Sequence, residues 1–94
     1  MTELEISLIC KALADANRLK ILRLLTAKEQ CACDLLQSFQ ITQPTLSHHM
    51  KVLADCELVR TKTEGRRIYY AINCKTLTSF REYFDSMRCA VNFR

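Results

Sequence analysis

The chain contains one glycine, Gly65, and one proline, Pro44, among its 94 residues. These two residue types usually mark turns and interrupt helices and strands. A chain with so few of them is predicted to be mostly helical, and the single glycine indicates where one tight β-hairpin turns. At this length we expect one domain with a modest core, so association with a second copy would add to its stability.

Apolar side chains recur at helical intervals in five segments. We predict helices over residues 3–14, 17–26, 33–39, 43–56 and 76–87. Asp15 is suited to cap the second helix and Thr42 the fourth, in which Pro44 falls in the first turn, the position that a helix tolerates best.

The fourth predicted helix has an apolar side and a polar side. At about 100° per residue, Leu46, Met50 and Leu53 lie together and are expected to face the core. The polar side and its flanks carry side chains suited to base edges and phosphates. These candidate DNA contacts are Gln43, Thr45, Ser47, His48, His49 and Lys51. Two short helices about three residues apart, the second with a polar face of this kind, predict a helix-turn-helix over residues 33–56. The alternative is that the polar face is simply exposed to solvent and contacts no DNA.

Residues 58–63 and 67–72 are rich in β-branched and aromatic side chains, and they flank the turn residues Glu64-Gly65-Arg66. This pattern predicts a β-hairpin. Residues 58–75 also hold five cations and one anion, which accounts for the whole net charge of +4. A helix-turn-helix followed by a hairpin, here the wing over residues 58–73, is a winged helix, in which Arg66 and Arg67 can contact phosphate or enter the minor groove.

The predicted fold class is therefore mainly α with a β-hairpin (α+β), a winged helix-turn-helix with five helices plus the wing in a single domain over residues 1–94. The last helix carries Leu77, Phe80, Phe84 and Met87 at intervals of three and four, a stripe typical of helix-to-helix seams. With the first helix it predicts a dimer interface from residues 1–14 and 76–94. A dimer would place two recognition helices about one DNA turn apart.

No apolar run approaches the roughly 18 residues that span a bilayer, and the sequence begins with acidic residues, unlike a secretory signal. We expect no membrane partner and a cytoplasmic location. In a reducing cytosol, most of the six cysteines are expected to be small buried hydrophobes rather than three disulfides, an interpretation that we favour for Cys56 and Cys74. Cys31 and Cys33 differ because they form a close pair, which is a soft-metal or redox feature.

Three ordered stretches resemble the ArsR/SmtB family of bacterial winged-helix repressors, and the similarity runs over roughly residues 8 to 75. They are Ala12-Leu13-Ala14-Asp15-Ala16-Asn17-Arg18-Leu19-Lys20-Ile21-Leu22, then Gln43-Pro44-Thr45-Leu46-Ser47-His48-His49-Met50-Lys51-Val52-Leu53, then Leu58-Val59 with Gly65-Arg66. The resemblance implies a homodimeric repressor that binds double-stranded operator DNA when empty and releases it on binding a metal ion.

Residues 29–35, which read Glu-Gln-Cys-Ala-Cys-Asp-Leu, resemble the family's thiolate box of arsenic- and antimony-responsive members. The resemblance implies Cys31 and Cys33 as the metal ligands and As(III) or Sb(III) as the inducer, with Leu36 where some arsenic sensors have a third cysteine. Arsenite can complete its shell of three ligands with Cys10, a small thiol or hydroxide. Residues 76–94 lack the histidines of the family's zinc and cobalt sensors. A cadmium- or lead-type sensor, which shares the thiolate box, remains an alternative.

Side chains two residues apart on a regular helix point about 200° away from each other. Cys31 and Cys33 are therefore expected to share a metal only if the first turn of the third helix is unformed or unwinds, which would shift that helix against the fourth. A thiol redox regulator is an alternative, although a disulfide across one intervening residue is strained. An enzyme is not expected, because no Cys-x-x-Cys is present and both histidines lie in the predicted recognition helix.

Overall fold

The computed structural model describes residues 1–91, which form five helices and three strands. The helices are α1 Glu3–Ala12, α2 Ala16–Ala27, α3 Ala32–Leu36, α4 Gln43–Asp55 and α5 Cys74–Asp85. The strands are β1 Gln30–Cys31, β2 Val59–Glu64 and β3 Arg67–Ile72. The predicted winged helix-turn-helix with five helices and a hairpin wing is confirmed.

The longer helices begin at side chains that satisfy free backbone N–H groups of the first turn, which is the usual role of an N-cap. The carboxylate of Asp15 accepts the Arg18 N–H at 3.1 Å, and the Thr42 hydroxyl accepts the Thr45 N–H at 3.3 Å. Both predicted caps are thus confirmed. Thr2 caps α1 in the same way, and the Glu5 carboxylate in turn accepts a hydrogen bond from the Thr2 N–H.

Several helix boundaries differ from the prediction by one to three residues, and those of α3 and α5 matter most. Helix α3 ends at Leu36 rather than at Phe39, and the next three residues form turns in which each N–H bonds the carbonyl three positions earlier. Helix α5 begins at Cys74, two residues early, because Asn73 caps it, and it ends at Asp85. Of the segment 76–94 that was predicted as a dimerisation helix, residues 86–91 thus lie beyond α5, and residues 92–94 lie outside the described residues.

The sheet has one strand more than the predicted hairpin. Strands β2 and β3 pair antiparallel from Val59↔Ile72 to Glu64↔Arg67, joined by the two-residue loop of Gly65 and Arg66. The short strand β1 pairs with the other edge of β3, so the strand order is β1-β3-β2. No strand was predicted before the third helix, because two residues are too few to show an alternating pattern.

The core lies between the helices and the sheet. Leu46, Met50 and Leu53 of α4 are at most 2% exposed, which confirms the predicted inner face of this helix. The other buried members of this cluster are Ile9, Ala12, Ile21, Leu25, Leu35, Leu58, Val59 and Tyr70. Leu77 and Phe80 of α5 pack against it, whereas Phe84 and Met87 remain exposed. None of the described helices is long and apolar enough to cross a membrane.

Helix α4 ends in a Schellman motif that turns the chain into β2. The Glu57 N–H bonds the Ala54 carbonyl at 2.9 Å, and the Leu58 N–H bonds the Leu53 carbonyl at 3.1 Å. In this motif the first residue after the C-cap adopts a left-handed conformation, and this position is usually occupied by glycine. Here it is Glu57, with φ of 64°.

Candidate functional site

The two thiols of the Cys31 and Cys33 pair lie side by side at the start of α3. Cys31 is the last residue of β1 and the N-cap of α3, and its backbone is extended, with φ of −73° and ψ of 156°. Cys33 follows in the first helical turn, and the two Sγ atoms are 2.7 Å apart. Because Cys31 lies outside the helix, the pair can converge on one ion without unwinding α3. The prediction allowed chelation only if the first helical turn is unformed or unwinds, and Cys31 meets this condition by lying before the first turn of α3.

The potential ligand atoms of Cys31, Cys33 and Asp34 all lie within 4.8 Å of one another. In residues 1–91 these are the only three His, Cys, Asp or Glu side chains grouped closely enough to hold a metal. Leu36 lies on the wall of the same site, and Cys10 is exposed on α1 outside the group. Thiolates favour soft ions and carboxylates favour hard ions, so the donor set fits a thiophilic ion that takes two sulfur ligands from this chain.

The pKa of Cys31 depends on its neighbour Cys33, and the wing brings a cation, Arg67, to the same cavity. The hydrogen bond with Cys33 raises the pKa of Cys31, and burial adds to this effect. The hydroxyl of Tyr69 and the nearby sulfurs of Cys33 and Cys31 raise the pKa of Arg67. Arg67 and both thiols line the same cavity, and a cation near a thiol favours the thiolate form that binds metals.

A cavity of about 320 Å³ opens beside the thiols. It lies where α3, the first residue of α4 and the tip of the wing meet. Its walls are formed by Cys31, Ala32, Cys33, Leu36, Gln43, Arg66, Arg67 and Ile68. The cavity thus brings the predicted metal ligands together with three of the predicted DNA contacts.

Most of the predicted DNA contacts are exposed. Gln43, Thr45, Ser47, His48 and Lys51 lie on the outer side of α4, and Arg66 and Arg67 lie at the tip of the wing. The Lys51 ammonium pairs with the Asp55 carboxylate at 3.0 Å, with both side chains about two-thirds exposed or more.

His49 is the exception, because it is only 7% exposed. Its Nδ1 lies 3.0 Å from Nη1 of Arg18, and Arg18 Nε donates to the Ala12 carbonyl at 2.5 Å. Arg18 therefore connects the end of α1, the start of α2 and the middle of α4. This burial is at odds with the prediction that His49 contacts DNA. The spacing of His49, three residues after Leu46 and four before Leu53, was the signal for an inward position.

Two other cysteines were predicted to be buried. Cys56 is half-buried at the end of α4, and burial raises its pKa. Cys74 is exposed, contrary to the prediction, because it begins α5.

Helices α1 and α5 together present an apolar surface. Leu4 and Leu8 of α1 are 70% and 49% exposed, and Phe84 of α5 and Met87, just beyond the end of this helix, are 43% and 57% exposed. The Tyr83 hydroxyl donates to the Glu3 carboxylate at 3.3 Å, so the start of α1 lies near the end of α5. We call these four apolar side chains the α1/α5 surface.

The family model described as "Bacterial regulatory protein, arsR family" matches residues 15–61, which span α2, β1, α3, α4 and the start of the wing. An arsenical resistance operon repressor of Staphylococcus aureus is 55% identical over 73 residues, covering 78% of this chain and 70% of the relative. An arsenical resistance operon repressor of Staphylococcus xylosus is 49% identical over 85 residues, covering 90% and 82%.

Among solved structures, the chain is similar to a homodimeric winged helix-turn-helix DNA-binding domain from Mycobacterium bovis, determined by solution NMR. The identity is 28% and the TM-score is 0.74, with 87% of this chain and 77% of that chain covered. The sequence relatives, the family model and the winged-helix fold all indicate the same family of proteins. The chain therefore belongs to the ArsR family of bacterial regulatory proteins.

Proposed function

We propose that this chain is a cytoplasmic transcriptional repressor that binds operator DNA as a homodimer and releases it when As(III), or its analogue Sb(III), binds Cys31 and Cys33. The observation that carries the proposal is the position of the two thiols, 2.7 Å apart in a cavity whose walls include the start of α4 and the wing tip. The names of the two staphylococcal relatives support the metalloid.

For DNA binding, we propose that the outer face of α4 enters the major groove. Five exposed side chains make the contacts there, namely Gln43, Thr45, Ser47, His48 and Lys51. Arg66 and Arg67 reach the phosphate backbone or the adjacent minor groove. The exposed ion pair of Lys51 with Asp55 contributes little stability, so the lysine is free to exchange this partner for a phosphate. His49 is left out of this interface because it is buried.

For dimerisation, we propose that the α1/α5 surface packs against its equivalent in a second copy. Four exposed large apolar side chains on α1 and at the C-terminal end of α5 are costly to leave in water. The homodimeric neighbour from Mycobacterium bovis, which has the same fold, supports this assembly.

For release, we propose that the bound metalloid acts on α3 and the wing together. Cys31 caps α3 by accepting the Asp34 N–H at 3.4 Å, and its backbone pairs with Tyr69 of β3, two residues after Arg67. A metalloid that holds both sulfurs changes the position of the cap, and with it the start of α3 and the neighbouring strand. This coupling lowers DNA affinity provided that the metalloid binds the DNA-free form more tightly.

The test is the operator affinity of the wild type and of the Cys31→Ser, Cys33→Ser double variant, with and without arsenite. We expect arsenite to weaken wild-type binding by about 10-fold or more, within the usual range of allosteric coupling, and to leave the double variant unaffected. The control is Cys74→Ser, which changes an exposed cysteine outside the site and should respond like the wild type. Equal release of the double variant by arsenite would contradict the proposal.

A second candidate is a sensor of a soft divalent cation such as Cd²⁺. The carboxylate of Asp34 within the same group of ligands favours it, because a divalent ion accepts mixed sulfur and oxygen ligands. Titration of the operator complex with Cd²⁺ and with arsenite distinguishes the two candidates. Release by Cd²⁺ that is lost in Asp34→Asn would favour the cation, and release by arsenite that survives Asp34→Asn would favour the metalloid.

A further inference from the structure

The cavity beside the thiol pair is much larger than one metalloid centre requires. Its volume of about 320 Å³ corresponds to roughly ten water molecules at ~30 Å³ each. Cys31, Cys33 and Leu36 line it together with Arg66 and Arg67. A small organic molecule therefore fits between the sulfurs and the wing tip.

The two arginines give this cavity an uncompensated positive charge. In the described part of the chain, neither Arg66 nor Arg67 has a carboxylate within ion-pair distance. The nearest acidic residue in sequence, Glu64, is engaged by Lys62 at 3.2 Å. Arginine binds carboxylates in a planar, two-point geometry, so the wall is suited to an organic anion.

The thiol pair leaves one metalloid bond unfilled. As(III) forms three bonds, and Cys31 and Cys33 supply two sulfurs. Within residues 1–91 no third thiol belongs to the group, since Leu36 is apolar and Asp34 offers only a hard oxygen. The third sulfur must come from another molecule if the metalloid is to have three.

We propose that a low-molecular-weight thiol with a carboxylate group supplies the third sulfur, and that its carboxylate pairs with Arg66 and Arg67. The proposal rests on the proposed function of Cys31 and Cys33. As(OH)₃ reacts with three thiols, so that three As–O bonds are replaced by three As–S bonds. Each thiol proton leaves with a hydroxide as water, and arsenic remains As(III).

In this arrangement the bound thiol also weakens DNA binding directly, at the wing tip. Arg66 and Arg67 are the wing-tip cations proposed to contact phosphate, and a carboxylate held between them neutralises the same charges. The third ligand and the DNA backbone therefore compete for the wing tip. Inducer bound with an anionic thiol is expected to release DNA more completely than inducer bound with a neutral thiol.

The test compares three thiols of similar size and different charge, with a phosphine as the only other reductant. They are 3-mercaptopropionate, 3-mercapto-1-propanol and cysteamine. Arsenic X-ray absorption counts the As–S bonds, and As(III) affinity is measured with each thiol. We expect two As–S bonds and one As–O bond without added thiol, and three As–S bonds with 3-mercaptopropionate. Affinity should be at least about fivefold tighter with 3-mercaptopropionate than with 3-mercapto-1-propanol, or about 1 kcal/mol.

The Arg66→Gln, Arg67→Gln double variant shows whether this preference comes from the wing tip. It should bind As(III) equally well with the anionic and the neutral thiol, after correction for the affinity of each thiol for As(III) in solution. The control is Arg60→Gln, which removes an exposed cation of β2 that does not line the cavity and should keep the preference. A preference that survives in the double variant, or three As–S bonds without added thiol, would overturn the inference.

Phenylarsine oxide separates this inference from the proposed function. Its aryl group fills the third arsenic bond, so it needs only the two cysteine sulfurs and no added thiol. Binding to the wild type that is lost in the Cys31→Ser, Cys33→Ser variant supports the dithiol site. Absence of binding to the wild type would overturn the proposed function, and the inference with it.

Discussion

Cys31 serves two elements at once. As the last residue of β1 it pairs with Tyr69, and as the N-cap of α3 it accepts the Asp34 N–H. Its extended backbone turns the buried thiol toward Cys33. The constraint expected for two cysteines on a regular helix does not apply here, because a capping residue does not have helical backbone angles.

At the same scale, the adjacent histidines His48 and His49 have opposite environments. His49 is buried and paired with Arg18, whereas His48 is exposed. Arginine can only donate, so Nδ1 of His49 is the acceptor in this pair. Their sequence positions differ by one residue, and only the packing of α2 against α4 separates their roles.

We predict that His49→Ala lowers the free energy of unfolding by about 1–3 kcal/mol, because Arg18 loses a buried hydrogen-bond partner. His48→Ala should change it by less than about 0.5 kcal/mol, and should instead weaken operator binding. Urea unfolding measures the first effect, and a DNA titration measures the second. Equal loss of stability in the two variants would contradict the assignment of His49 to the interior.

At the scale of elements, the features predicted correctly from the sequence are those that depend on residues close together in the chain. Asp15 and Thr42 were identified as caps because capping depends on residues within one turn. Strand β1 and the length of α3 were not predicted correctly. A strand of two residues has no periodicity, and its position depends on pairing with β3, about 40 residues later in the chain.

The Schellman motif at the end of α4 offers a test at this scale. Glu57→Gly should raise the free energy of unfolding by about 0.5–1 kcal/mol, because a left-handed residue with a side chain costs about 1–2 kcal/mol, and the added freedom of glycine in the unfolded chain offsets part of this gain. Glu57→Ala removes the charge but keeps the Cβ, so it should bring no gain. Thermal or urea unfolding of both variants checks the prediction, which would be wrong if alanine stabilised as much as glycine.

At the scale of the whole molecule, periodicity and charge were sufficient to predict a winged helix. Membership in a family of regulatory proteins confirms the prediction of a regulator rather than an enzyme. The cavity that joins the thiols to Gln43 and the wing could not be predicted, because its walls come from three separate segments. The β1–β3 pairing places the cysteine segment beside the wing, and the packing of α4 adds Gln43.

The proposed dimer gives the last test. The Leu8→Glu, Phe84→Glu double variant should be monomeric at concentrations where the wild type is a dimer, because unpaired carboxylates in an apolar interface are costly. Leu19→Glu is the control, since Leu19 is 50% exposed on α2, outside the α1/α5 surface. Sedimentation velocity distinguishes the two states. A dimer that persists in the double variant would place the interface elsewhere.

The thiol pair lies at the end of the short strand β1 and the start of α3. This position has a consequence for how such a protein changes during evolution. Of the two thiols, only that of Cys31 is buried, and the second sulfur is exposed. Under the proposed function, ligand preference therefore depends on a few side chains at the margin of the core. We expect substitution of the exposed Cys33 to alter or abolish the proposed sensing while the buried residues that hold the helices and the wing stay unchanged.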